Sequence, residues 1–103
     1  MQRAMIRWSV TPEAVDEELE LLAAVYDELA ALNPSGLIYN TYRLDDDLSF
    51  VAFAEMKDGL GVLGPLAAFQ RYRRTLDERC TTGPTVVVLD EIGTYGDRDP
   101  NER

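Results

Sequence analysis

The sequence of 103 residues predicts a single α+β domain with the element order strand, helix, strand, strand, helix, strand. Strands are indicated where side chains alternate between two faces, and helices where apolar residues recur every three or four positions. The strand patterns cover residues 4–10, 36–56 (two strands) and 85–92, and the helix patterns cover residues 12–32 and 65–79. We therefore expect a four-stranded antiparallel sheet and one core within residues 1–96, followed by a polar tail over residues 97–103.

The centre of this pattern is the stretch GLIYNTYRLDDDLSFVAFAEM, residues 36–56, whose two strands reverse direction at residues 45–47. Tyr39 and Tyr42 fall on opposite faces, and so do Phe50 and Phe53. In a sheet with one face exposed to solvent, apolar and polar residues alternate along each strand, whereas both faces of these strands carry apolar residues. We expect helices to cover one face and a second copy of the chain to cover the other. The alternation leaves open which set of residues faces which side.

The first strand, Ala4 to Val10, leads into a helix that Thr11 should cap and Pro12 should open, and that ends at Asn33. This helix carries seven acidic residues and no Lys or Arg: Glu13, Asp16, Glu17, Glu18, Glu20, Asp27 and Glu28. They could recognise a basic partner, but a solvated outer face is the commoner meaning of such a run.

The second half begins with a glycine-rich connection over residues 57–64, which lacks the Lys-Ser/Thr ending of a phosphate-binding loop. We interpret it as a mobile connection or lid. Pro65 should open the second helix, in which pairs such as Arg73 with Asp77 have the i,i+4 spacing of intrahelical ion pairs. Cys80 ends that helix, and the last strand covers residues 85–92.

Composition excludes several classes of site. The chain has no histidine and only one cysteine, so it lacks the commonest metal ligand, the usual haem ligand, the usual partner of a catalytic Ser or Cys, and any internal disulfide. We expect no metal and no cofactor. A net charge of −9 disfavours nucleic acid and anionic membranes as partners. No apolar run reaches the roughly 20 residues that span a bilayer, and a cytoplasmic location is predicted.

The element order is that of a ferredoxin-like domain. Together with the two-sided strands, it resembles the dimeric α/β-barrel superfamily and, within it, the antibiotic biosynthesis monooxygenase-like domains. The closer likeness lies in the strand SFVAFAEM, the short connection after it and the helix pattern PLAAFQRYRRTL. The resemblance implies a homodimer whose sheets form a barrel, with a pocket between each sheet and its own helices. It also implies oxidation of a small aromatic or quinol substrate without metal or flavin.

The chain departs from two patterns within that superfamily. Haem-degrading members need a histidine ligand, which this chain lacks. Many of the oxygenases carry a histidine near the start of the second helix, where this chain reads GVLGPLAAF. The resemblance therefore implies the fold more strongly than it implies a particular reaction.

Polar and aromatic side chains are the candidates for orienting a substrate and stabilising negative charge. The catalytic candidates are Asn40, Tyr72 and Glu55, with Glu55 as a carboxylate base. The expected substrate-binding residues are Trp8, Tyr39, Tyr42, Arg43, Phe69 and Arg73. Each also has a structural interpretation: Trp8 could be core, and Glu55 could be an exposed strand end.

Three functions that use the pocket fit these residues, and a structural or regulatory dimer is a fourth alternative. The first is a cofactor-independent monooxygenase that acts on a small aromatic or quinol. The alternative is a dimeric small-molecule-binding or sensing module without catalysis, which the absence of a clear acid-base pair favours. A small isomerase or lyase would need a base at the floor of the pocket.

Overall fold

A computed structural model describes residues 2–57 and 63–96. The elements are β1 (Gln2–Val10), a 3-10 turn (Pro12–Ala14), α1 (Val15–Leu32), β2 (Leu37–Arg43), β3 (Ser49–Met56), α2 (Ala67–Arg74), α3 (Leu76–Arg79) and β4 (Cys80–Leu89). The predicted α+β class and element order are confirmed. The predicted polar tail (97–103) and most of the glycine-rich connection (58–62) lie outside the described residues.

The four strands form one antiparallel sheet in the order β2-β3-β1-β4. The first strand therefore lies in the middle, where Ala4 pairs with Ala54 on one side and with Val88 on the other. The hairpin between β2 and β3 turns where the sequence predicts. There Asp46 accepts hydrogen bonds from the backbone N–H groups of Leu48 and Ser49 at 2.9 and 2.8 Å. The Ser49 hydroxyl, which donates to the other Asp46 carboxylate oxygen at 2.6 Å, and these two backbone bonds lower the pKa of the Asp46 carboxyl.

The core lies between the helices and one face of the sheet, which we call the inner face. Trp8 and Phe50 stack there with ring centroids 5.6 Å apart, and they belong to the same buried cluster as Leu22 and Val25 of α1. Residues of the opposite parity form the outer face, as the alternating burial of β3 indicates. Tyr39 thus belongs to the inner face and Tyr42 to the outer face, as the alternation predicts.

The second helix differs from the prediction at both ends. It begins at Ala67, two residues after Pro65, and it stops at Arg74 because Thr75 leaves the helical conformation with φ −112° and ψ 8°. The predicted i,i+4 ion pairs of this segment are absent among residues 63–96. The break instead starts the short helix α3, whose last residue, Arg79, turns inward and is buried.

The last strand begins at Cys80, five residues before the predicted start. Its first half pairs with β1 through a shift in register between Arg7 and Val10. At this point Gly83 has a φ of +80°, and a Cβ atom on it would lie 2.6 Å from the Arg7 carbonyl oxygen. Only glycine fits such a close backbone approach. The Val-rich part of the strand then continues as predicted but ends at Leu89.

The first helix also begins differently from the prediction. The Thr11 side chain makes no capping hydrogen bond, and Pro12 opens the 3-10 turn that precedes α1. At the other end Asn33 adopts a left-handed conformation with φ 47°, and its N–H bonds to the Leu29 carbonyl at 2.7 Å. The predicted stop at Asn33 therefore has the geometry of a helix C-cap.

The acidic residues of the first helix are not all solvated. Glu28 accepts a hydrogen bond from the backbone N–H of Ala68 at 2.8 Å, so its carboxylate lies at the N-terminus of α2, where negative charge is favoured. Glu18 is completely buried. The prediction of a solvated face is therefore wrong for Glu18 and incomplete for Glu28, and it holds for the exposed remainder of the set.

Candidate functional site

A cavity of about 200 Å³ lies between the inner face of the sheet and α2. The sheet contributes side chains from all four strands, and Leu63 and Gly64 close one side just before α2. Four aromatic residues line it: Trp8, Tyr39, Phe69 and Tyr72. The cavity is therefore an apolar, aromatic-walled space of the kind that holds small organic ligands.

Five of the predicted site residues meet in this cavity. They are Trp8, Tyr39, Phe69, Tyr72 and Arg73. Trp8 belongs to the core as well as to the wall, so its structural and functional interpretations apply together. Among the described lining residues, Arg73 is the one charged side chain.

The other four predicted site residues lie elsewhere. Asn40, Tyr42 and Glu55 belong to the outer face of the sheet, on the far side from the cavity. Glu55 lies opposite Arg3 on β1, with its Oε1 3.5 Å from the guanidinium Nε. Arg43 occupies the exposed end of β2. A base from Glu55, which an isomerase or lyase would need at the pocket floor, is therefore not available inside the cavity.

Glu18 joins two of the cavity walls through a buried hydrogen-bond network. Its Oε2 accepts hydrogen bonds from the Trp8 indole Nε1 at 3.0 Å and from the Tyr72 hydroxyl at 2.6 Å. Its Oε1 accepts one from the Nε of Arg79 at 2.8 Å. Arg79 also donates to the Thr75 hydroxyl at 2.5 Å and to the Tyr72 carbonyl at 3.1 Å. The carboxylate is thus 0% exposed and its cation 3% exposed.

Glu18 is not among the predicted site residues, although the spacing of the first helix contains a signal for it. The residues at positions 15, 18, 22 and 25 are spaced three, four and three apart, and Val15, Leu22 and Val25 are all apolar. This spacing places Glu18 on the buried stripe of the helix. An acidic residue within an apolar stripe predicts a buried carboxylate that needs partners.

Tyr72 is fixed by contacts on several sides. Besides the bond to Glu18, the Arg79 guanidinium lies 5.2 Å from the centre of its ring, and the Phe69 ring lies 6.4 Å away. Burial raises the pKa of Tyr72 well above its usual value, and the charge of Glu18 and their hydrogen bond add to this effect. The phenol therefore stays protonated at all ordinary pH values.

Tyr39 lines the same cavity as a second protonated phenol. Burial raises its pKa to about 12, with a smaller contribution from Tyr26. Its ring stacks on Tyr26 at 5.5 Å, and the Tyr26 hydroxyl bonds to the Thr41 hydroxyl at 2.7 Å. The nearby Arg73 charge acts in the opposite direction and lowers the pKa of Tyr39.

The chemistry available in the cavity follows from these groups. The described lining holds two neutral phenols and one cation, but no carboxylate that could act as a base. Among residues 2–57 and 63–96, no three His, Cys, Asp or Glu side chains converge on a point where a metal could bind. Cys80 lies near the network, and burial and the Glu18 charge raise the pKa of its thiol, which makes it a poor nucleophile.

The fold and the cavity define a ferredoxin-like α+β domain with a small aromatic-walled cavity between sheet and helix. A crystal structure of an antibiotic biosynthesis monooxygenase has this fold, with a TM-score of 0.76 and 21% identity over 90% of this chain and 100% of that chain. The structure of Rv0793 from Mycobacterium tuberculosis has a TM-score of 0.75 and 20% sequence identity, over 92% of this chain and 98% of that chain. A variant of SnoaB, a cofactor-independent oxygenase from Streptomyces nogalater, has a TM-score of 0.70 and 19% sequence identity, over 93% of this chain and 97% of that chain.

The chain thus has the fold of antibiotic biosynthesis monooxygenase structures, and the resemblance seen in the sequence is confirmed at the level of fold. The sequence matches no protein-family profile and no curated protein. No helix in the described parts of the chain is long and apolar enough to cross a membrane.

Proposed function

We propose that the protein is a cofactor-independent monooxygenase that acts on a small hydroxyaromatic or quinol in the cavity beneath α2. The observation that carries this proposal is the composition of the cavity wall, with four aromatic side chains and one cation, Arg73. The structural likeness to a cofactor-independent oxygenase supports the same class of reaction.

The size of the cavity limits the substrate. An apolar cavity of about 150 Å³ is large enough for benzene, and this one measures about 200 Å³. One aromatic ring or two fused rings therefore fit without rearrangement. A three-ring substrate would extend beyond the described walls or require them to move.

The reaction needs no external electron donor because the substrate supplies all the electrons. When a phenol is oxidised to a para-quinone, one atom of O₂ becomes the new carbonyl oxygen. The other atom leaves as water with the phenolic proton and the hydrogen of the oxidised ring carbon. The substrate loses four electrons and O₂ gains four. The ionised phenol is the electron-rich form that reacts.

The cavity would assist this reaction mainly through Arg73. Apolar walls disfavour a phenolate, because burial penalises the charged form, whereas a nearby cation favours it. The phenols of Tyr39 and Tyr72 stay protonated and so would not compete with the substrate for ionisation. Arg73 is itself exposed, so its charge reaches the bound anion from the solvent side of the cavity.

Oxygen consumption tests the proposal. We expect the protein to accelerate O₂ uptake by 1-naphthol above the rate of autoxidation without protein, and to yield 1,4-naphthoquinone with one atom of ¹⁸O from ¹⁸O₂. Arg73→Gln should lower this rate, because it removes the cation that favours the phenolate, and Arg74→Gln, the same change at a residue that does not line the cavity, should not. Anthrone, with three rings, should react more slowly. No acceleration with any such substrate would contradict the proposal.

A non-catalytic binding module is the second candidate, and the absence of a base among the described lining residues favours it. It predicts that 1-naphthol raises the melting temperature of the protein and is recovered unchanged. Thermal stabilisation combined with an unaccelerated rate of oxygen uptake would establish this function in place of the first.

We also propose that the outer face of the sheet packs against a second copy of the chain. Four large apolar side chains on this face are exposed, between 40% and 55%: Ile38, Tyr42, Phe53 and Val87. Phe53 pairs with Met5 and Met5 with Val87, and the Tyr42 ring of β2 contacts the Phe53 ring at a centroid distance of 6.1 Å. An apolar strip therefore crosses all four strands, between Arg7 on one side and the Arg3–Glu55 pair on the other. Asn40 is the β2 partner of Phe53. Continuous apolar surface of this kind marks an interaction site. Asn40 would then belong to the subunit interface.

A further inference from the structure

We infer that Glu18 is a positioning residue of the cavity: its buried carboxylate holds Trp8 and Tyr72 in the wall where a ligand would contact them. The inference deepens the proposed function, because it assumes that the cavity beneath α2 is the ligand site. Glu18 itself is completely buried and so acts only through the two side chains that it binds.

The first support is the shared acceptor. The Trp8 indole and the Tyr72 hydroxyl both donate to the same oxygen, Oε2, at 3.0 and 2.6 Å. Trp8 comes from β1 at the floor of the cavity, and Tyr72 comes from α2 above it. One oxygen atom of α1 therefore sets the separation of two opposing walls.

The second support is the orientation of the carboxylate. Arg79 binds the other oxygen, Oε1, and leaves Oε2 to the two cavity residues. Arg79 is held in turn by the Thr75 hydroxyl and the Tyr72 carbonyl. Each polar atom in this dry cluster therefore has its partner, as a rigid buried network requires.

The third support is energetic. A buried ion pair adds little stability compared with apolar residues of similar volume, because both charges lose their hydration. Stability alone therefore does not explain a fully buried Glu18–Arg79 pair. An acceptor that fixes two aromatic side chains at the ligand cavity gives the pair a specific role.

Trp8 makes the inference directly measurable, because it is the only tryptophan in the chain. The indole N–H gives a single cross-peak in a ¹H–¹⁵N correlation spectrum. In the free protein we expect its proton downfield of the position that it has in the urea-unfolded protein. In Tyr72→Phe it should move further downfield, because Oε2 then serves one donor in place of two. Tyr95→Phe is the control and should leave it unchanged.

A second variant separates positioning from folding. Glu18→Leu combined with Arg79→Met removes both charges and keeps the apolar volume, so no charge is left buried without its partner. The remaining cost is the lost acceptor of Trp8 and Tyr72, which leaves each of these two donors without its hydrogen bond. The indole proton should then move upfield, towards its unfolded position. Isothermal titration with 1-naphthol should show about a tenfold loss of affinity, which corresponds to about 1.4 kcal/mol.

The outcomes distinguish this inference from the proposed function. If the indole proton shifts as expected but 1-naphthol does not bind, the Glu18 hydrogen bonds are formed in solution and the proposal that the cavity binds this class of ligand is contradicted. If 1-naphthol binds the double variant as tightly as the parent, the positioning role is overturned. The positioning role is also overturned if the Trp8 indole proton of the parent protein resonates at its unfolded position, or if Tyr72→Phe does not shift it. Both measurements remain available if the double variant fails to fold.

Discussion

The Tyr72 hydroxyl lies 2.6 Å from Oε2 of Glu18, and this contact connects α2 to α1 through the interior of the domain. Tyr72 is one of the predicted site residues, whereas Glu18 was predicted to lie on the solvated face of the first helix. Because the carboxylate is fully buried, the hydrogen bond is not weakened by competition with water. The helix above the cavity is therefore held by polar contacts as well as by apolar packing.

The first prediction concerns the stability of the buried pair. Arg79→Ala should lower the free energy of unfolding by about 3–5 kcal/mol, because it leaves the Glu18 carboxylate buried without its cation. Arg74→Ala, at an exposed position of the preceding helix, should change it by less than about 0.5 kcal/mol. Urea denaturation followed by circular dichroism measures both. Equal effects of the two substitutions would show that the Glu18–Arg79 contact is not formed in solution.

The second prediction concerns stability at alkaline pH. The pKa of Tyr39 is raised to about 12 in the folded protein, from about 10 in the unfolded chain. Below pH 10 the phenol is protonated in both states, so its contribution is fully present. Between pH 10 and 12 only the unfolded state loses the proton, and the free energy of unfolding falls as the pH rises.

Tyr39→Phe tests this dependence, because phenylalanine keeps the ring and cannot ionise. Denaturation midpoints measured from pH 8 to 11.5 should fall less steeply in Tyr39→Phe than in the parent protein. Tyr95→Phe, at a fully exposed tyrosine, should retain the parent slope. Parallel curves for the parent and Tyr39→Phe would show that Tyr39 is not buried as the structure places it.

The third prediction concerns the charge in the cavity. Arg73→Gln should weaken the binding of the 1-naphtholate form by up to about fivefold, because Arg73 is exposed and a solvent-screened charge pair contributes about 1 kcal/mol or less. Arg74→Gln is the matched control, since it removes the same charge from the next residue, which does not line the cavity. Titration calorimetry at several pH values measures the affinity. A loss of equal size in both variants would indicate a general effect of net charge on this acidic chain.

The alternation of the strands was enough to predict the sheet, the hairpin and the separation of Tyr39 from Tyr42. It could not predict which face carries the cavity, because both faces of β2 and β3 hold apolar residues. That choice depends on where α1 and α2 pack, which is a property of the whole fold. This is why Asn40 and Glu55, chosen as polar residues within strands, lie on the far side from Tyr72.

The helix break at Thr75 and the burial of Arg79 are features that the local sequence could not predict. Local spacing favoured a continuous helix with i,i+4 ion pairs, each worth only about 0.3–0.5 kcal/mol. A buried partner, Glu18, lies 61 positions away from Arg79 in the sequence. Burial of an otherwise unpaired carboxylate costs far more than such surface pairs provide, so the distant contact determines the local conformation.

The last prediction concerns the outer face of the sheet. If two copies of the chain pack through this face, light scattering should give about twice the chain mass of 11.6 kDa. Phe53→Asp should yield monomers, because burying a carboxylate at the centre of the apolar strip costs more than a diagonal pair with Arg3 or Arg7 of the neighbouring strand returns. Val88→Asp is the control: it places the same charge on an exposed valine that belongs to the inner face, and it should leave the dimer intact. Parent protein that scatters as a monomer at high concentration would contradict the interface, and the continuous apolar surface around Phe53 would then need a different partner.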